Sequence, residues 1–114
     1  MNHKRGDIIL VCLSPVVGSE QADTRPAVVV SYERFQRLKV ITVVALTSTI
    51  ISAPGRVVIQ PDERNGLKNP SDALAYQIRT ISASPARILK KKGSLSAQDL
   101  RRIDEALKMV LHLE

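Results

Sequence analysis

The hydrophobic pattern of this chain changes period once, and that change limits the folds open to it. Up to residue 60 the apolar residues come in short runs rich in valine and isoleucine: Ile8 to Leu13, Ala27 to Tyr32, Lys39 to Leu46 (KVITVVAL) and Arg56 to Gln60 (RVVIQ). Runs of this length and β-branched content favour strands. Pro54-Gly55 and Pro61-Asp62 punctuate the fourth run as turns. Ala75 to Ile81 follows as a fifth strand, with Tyr76, Ile78 and Thr80 alternating with Gln77 and Arg79, and Arg87 to Lys91 is a candidate sixth. The closing segment, SLSAQDLRRIDEALKMVLHLE, follows another repeat: Leu100, Ile103, Leu107, Val110 and Leu111 fall at helical spacing, behind Ser96 and Asp99 as a weakened capping box. It reads as an amphipathic helix of about five turns, laid by one face on the sheet. Strands followed by one terminal helix make an α+β fold or a small barrel and exclude an alternating βαβ order.

The 114 residues fit one domain. A domain of this size buries only about two-thirds of the surface of its unfolded chain, so dimerisation would widen a narrow stability margin. Lys and Arg number 17 against 11 Asp and Glu, a formal charge of +6, which favours polyanionic partners and nucleic acid first. Cys12 is the only cysteine, so no intramolecular disulfide can form. Between Val11 and Leu13 it suits a small buried hydrophobe better than a nucleophile. The N-terminus lacks the long apolar region of a signal peptide, and no apolar stretch approaches the roughly 18 residues of a membrane span. The expectation is a soluble, cytoplasmic protein.

Conventional catalytic clusters are missing. His3 is expected in a frayed terminus, and His112 near the end of the last helix, where it suits the helix dipole. No Cys/His spacing fits zinc, no glycine-rich loop fits phosphate, and the carboxylates are scattered, so neither metal nor cofactor is expected. Any catalysis must run on Arg, Glu, Thr, Ser or Gln. Two stretches offer these. In GSEQADTRPAVVVS, Pro26 pushes Arg25 towards an extended conformation, which can hold a guanidinium where a phosphate would rest. From spacing alone the simpler alternative is a surface ion pair of Glu20 with Arg25, worth about 0–1 kcal/mol. In Leu46-Thr47-Ser48-Thr49, three hydroxyls leave the end of a strand, as they also do in ordinary turns.

Taken together, these segments resemble the MazF/PemK family of toxin ribonucleases. The likeness runs through KRGDIILVCLSPVVGSEQADTRPAVVVS (Lys4 to Ser31), Val44-Ala45-Leu46-Thr47-Ser48, Asp62 to Leu67, Gln77-Ile78-Arg79-Thr80-Ile81 and Lys92-Gly93-Ser94-Leu95-Ser96, and so covers nearly the whole chain. The resemblance implies one toxin domain over residues 1–114: a small SH3-like β-barrel with a C-terminal helix, usually a homodimer. It implies metal-independent cleavage of single-stranded RNA at short sequences, and neutralisation by a MazE-like antitoxin whose acidic tail covers the RNA groove. Position by position, Arg25 matches the family's catalytic arginine, Thr47 its catalytic threonine and Glu20 a glutamate implicated in some members. Ser19, Gln21, Ser48, Gln77 and Arg79 fall at positions expected to contact RNA. Cys12 stands where many relatives carry Asp, and Asp23 where Gly is common. With Tyr32, Phe35 and Tyr76 as the only aromatics, base stacking is limited. Lys90, Lys91, Lys92 and Arg87 could track the RNA backbone or receive the antitoxin, or could simply protect an edge strand. Two other functions fit the same architecture: a non-catalytic gyrase poison resembling CcdB, and a plain RNA-binding barrel.

Overall fold

The computed structural model describes residues 3–13 and 24–113. Among the described residues six strands, β1 (Asp7–Cys12), β2 (Thr24–Val29), β3 (Val40–Thr47), β4 (Arg56–Ile59), β5 (Ser71–Ser82) and β6 (Ile88–Ser94), precede one α-helix, α1 (Ala97–Leu111). The strands form a single antiparallel sheet in the order β4-β5-β3-β2-β1-β6. This is the expected α+β architecture with a C-terminal helix. The sheet is not closed by a ladder between its outer strands, β4 and β6. Register shifts in the β1–β6 and β3–β5 ladders bend it, and the molecule is nearly isometric at 33 × 29 × 26 Å.

Both faces of the central strands are buried, which is why those strands read as unbroken apolar runs. Ile8, Val28, Val44 and Leu46 pack on one face with Ile59, and Ile103 and Leu107 of α1 cover them. Ile9, Val11, Ala27, Val29 and Val43 pack on the other with Ile81 and Ile88. Cys12 is buried, as its apolar neighbours imply. Ser96 caps α1 by accepting the Asp99 N–H at 3.1 Å. The helix has 15 residues, about four turns and not five. Leu111, placed by spacing on the packed face, is exposed, because the chain turns into a left-handed cap at His112.

Two local expectations need correction, the start of β2 and the state of His3, and one element, a 3-10 turn, is added. β2 begins at Thr24, three residues before the apolar run, so Arg25 lies inside a strand. Pro26 is tolerated there because the β2–β3 ladder begins only at Ala27, leaving one side of β2 unpaired. A 3-10 turn, η1 (Glu33–Leu38), fills the β2–β3 connection, although it buries no residue. His3 is not frayed but buried: the Gln36 side chain accepts the His3 N–H at 3.0 Å and donates to the His3 carbonyl at 2.6 Å. Among the described residues no helix is long and apolar enough to cross a membrane.

Candidate functional site

The β2–β3 ladder pairs Ala27 with Ala45, and the β3–β5 ladder pairs Val43 with Arg79. Two-residue steps along these strands keep side chains on one face. Arg25, Thr47, Gln77 and Arg79 therefore share a face, although they are far apart in the chain. Arg25 and Thr47 both line an open groove of about 380 Å³. Its cations are Arg25, Lys68 and Lys92, and its hydroxyls come from Thr24, Thr47, Ser48 and Ser71. No carboxylate lines it among the described residues. Such a wall concentrates anions and offers a phosphate charge-assisted hydrogen bonds.

Thr47, the last residue of β3, accepts the Thr49 N–H on Oγ1 at 3.2 Å. A hydroxyl has two lone pairs and one proton, so this bond fixes the oxygen and leaves its O–H for an acceptor in the groove. Arg25 also borders a second depression of about 230 Å³, with Gln77 and Arg79 on its far side. Arg25 thus forms a ridge between the two hollows. Among the described residues no three His, Cys, Asp or Glu side chains cluster as metal ligands.

The wall opposite Thr47 is built by a loop that the sequence marks only as a turn. Asp62 Oδ1 accepts the N–H groups of Arg64 and Asn65, and the buried Asn65 side chain bonds the Gln60 carbonyl and the Leu67 N–H. Gly66 has φ +70°, and a side chain at either Gly66 or Gly93 would collide with the backbone of the other segment. This contact seats Lys68 beside Lys92. Between the pairs Ile8↔Gly93 and Ile9↔Lys91 the register skips Lys92. That bulge re-aims the Lys92 side chain towards the groove, a common use of bulges beside functional sites.

Of the residues singled out from sequence, Arg25, Thr47 and Ser48 meet in the main groove, and Gln77 and Arg79 in the adjoining one. Ser19, Glu20 and Gln21 lie outside the described residues. The lysine run divides: Lys92 lines the groove, Lys91 pairs with Asp7 at 3.4 Å, and Lys90 is exposed. Arg87 donates to the Cys12 carbonyl at 3.2 Å. Nothing in the sequence marks Lys68, Asn69 and Ser71 for the groove beyond the turn-forming dipeptides Asn65-Gly66 and Asn69-Pro70 around them.

A family model described as PemK-like, MazF-like toxin of type II toxin-antitoxin system matches residues 4–111. Endoribonuclease MazF9 of Mycobacterium tuberculosis is 40% identical over 116 residues, covering 96% of this chain and 97% of the relative. Endoribonuclease EndoA of Bacillus subtilis is 37% identical over 112 residues, covering 96% and 95%. In fold, the chain superposes with a TM-score of 0.80 on a crystal structure of MazE-MazF from Deinococcus radiodurans, at 21% identity and covering 100% of this chain and 99% of that one.

Proposed function

Because this chain belongs to the PemK-like, MazF-like toxin family of type II toxin–antitoxin systems, we propose that it is an endoribonuclease toxin cutting single-stranded RNA without a metal ion. The observation that carries this reading is the meeting of Arg25 and Thr47 on one cationic, hydroxyl-lined groove. The curated relatives named endoribonucleases support the substrate class.

RNA brings its own nucleophile, the 2′-hydroxyl beside the scissile phosphate, so no metal-bound water is required. Its oxygen attacks phosphorus, the bond from phosphorus to the 5′-oxygen breaks, and the products end in a 2′,3′-cyclic phosphate and a 5′-hydroxyl. Glu20 accepts the 2′-hydroxyl proton, a role worth about 10²–10⁴ in rate. Arg25 neutralises the charge that gathers on the phosphoryl oxygens and supplies a proton to the leaving 5′-oxygen. Thr47 donates its hydroxyl to a non-bridging oxygen, worth about 10²–10³. Ser48 and Lys92 flank the same phosphate run, while Ser19, Gln21, Gln77 and Arg79 contact adjoining nucleotides and read a short sequence. A cognate antitoxin presenting an acidic segment would compete for this groove; the Deinococcus neighbour is itself a MazE-MazF structure. The working toxin is a homodimer, as its small core favours.

The test is mixed single-stranded RNA with purified protein in EDTA, read on a gel and by end-group analysis. Discrete fragments with cyclic-phosphate ends are expected. Arg25→Ala should abolish cutting and Thr47→Ala should slow it about 10²–10³-fold while binding persists, and a single 2′-deoxy substitution at the cut site should leave the strand bound and whole. RNA retained but never cut would make the protein a binding barrel. No effect on RNA would redirect attention to a CcdB-like attack on gyrase.

A further inference from the structure

Asp72 is the second residue of β5 and its side chain is wholly buried, at 0% exposure. It faces Thr47 across the β3–β5 ladder and Val58 across the β4–β5 ladder. One carboxylate oxygen, Oδ2, accepts from Arg56 Nη1 at 2.8 Å and from the Ile51 N–H at 2.9 Å. The other, Oδ1, has no hydrogen-bond partner among the described residues. A buried pair left half-satisfied is a poor way to gain stability, since apolar residues of similar volume do as well or better. Its bonds suggest what it does instead.

Residues 48–54, which join β3 to β4, are all exposed and have no core contact to hold them. Arg56 Nη1 donates to the Thr49 carbonyl at 3.2 Å, while Thr49 donates its N–H to Thr47 Oγ1 at 3.2 Å. Thr49 is therefore gripped at both ends, and Ile51 is tied directly to Asp72. Arg56 Nε is steadied by Tyr76 Oη at 3.0 Å, with the guanidinium 5.9 Å from the Tyr76 ring centre. We propose that Asp72 and Arg56 are positioning residues that hold the Thr49 peptide so that the Thr47 hydroxyl is aimed into the groove, an assignment resting on the nuclease reading above. The Asp72 carboxylate, and after it the Tyr76 hydroxyl, push the Arg56 guanidinium above its ordinary value, so the grip does not open through loss of the arginine's proton.

The experiment measures kcat and KM on one cleavable oligoribonucleotide, and binding of the same strand carrying a 2′-deoxy residue at the cut. Arg56→Met removes the bond to Thr49 at a partly shielded position. It should lower kcat about 10–100-fold, the usual cost of a small misplacement, and leave KM and binding within about twofold. Asp72→Asn keeps an oxygen for Ile51 and Arg56 and should retain most of the rate. On a Thr47→Ala background, Arg56→Met should cost less than about threefold in single-turnover rate, because the hydroxyl it aims is gone. Should Arg56→Met fail to fold for want of a partner to the buried Asp72 charge, adding Asp72→Asn removes that charge while the bond to the Thr49 carbonyl stays lost, and the same fall in kcat is expected. Wild-type kcat in the arginine variant, or an equal loss with and without the Thr47 hydroxyl, overturns the assignment. If the wild-type protein cuts no RNA at all, the nuclease reading falls first and takes this one with it.

Discussion

Lys90, Lys91 and Lys92 are neighbours in sequence with three different environments. The cause is the skipped register at Lys92, which turns that side chain into the groove while Lys91 reaches Asp7. Composition alone could count these charges but not sort them. The sorting has a measurable consequence. For binding of an uncleavable single strand, Lys92→Ala should reduce the slope of log affinity against log salt by about 0.7, the share of one neutralised phosphate. Lys91→Ala should leave the slope unchanged. Equal effects from the two would mean that the bulge does not separate their roles. At the same scale, Arg25 and Thr47 could be named from motif likeness, whereas Asp72 and Arg56 could not. A fifth strand expected to begin at Ala75 leaves Asp72 in a loop, and only the ladder from Ser71 brings it opposite Thr47.

Among the elements, β1, β3 and the apolar half of β2 were the most legible because burial on both faces enriches them in β-branched residues. Their ends were less so. β2 extends back through Thr24-Arg25-Pro26 since its partner β1 offers pairing there, and nothing in those three residues is apolar enough to announce a strand. The η1 turn has no sequence signature because its Phe35 and Leu38 stay exposed, leaving no periodic face to read. The loop from Pro61 to Leu67 matters more than its polar composition suggests. It rests on β6 with no room for a methyl group at Gly93, whose added Cβ would meet the Arg64 and Asn65 backbone. Gly93→Ala should cost about 1–3 kcal/mol by overpacking, measured by urea unfolding. It should also weaken binding of the uncleavable strand as Lys68 and Lys92 part. A stable variant with unchanged affinity would show that this contact does not shape the groove.

For the molecule as a whole, the buried His3 links the N-terminus to η1 across 33 positions and makes stability depend on pH. Burial lowers its pKa from the usual 6.5, against a smaller upward pull from Asp7. The folded protein then binds fewer protons at this site than the unfolded chain, so the stability it contributes is complete above about pH 6.5 and is lost as the pH falls below that value. The urea midpoint of the wild type should drop across that window, and that of His3→Phe should drop less; identical pH profiles would refute the assignment. By itself the sequence determined the fold class, the helix with its Ser96 cap, the basic character and the family, because these depend on local propensity and on runs of residues adjacent in the chain. Tertiary structure alone decided which lysine meets the groove, where His3 is buried and how Asp72 reaches the loop beyond Thr47. The burial of His3 depends on a partner 33 positions away in η1; the other two depend on strand register, and a shift of one residue in register turns a side chain to the opposite face while leaving the apolar pattern that a sequence displays almost unchanged.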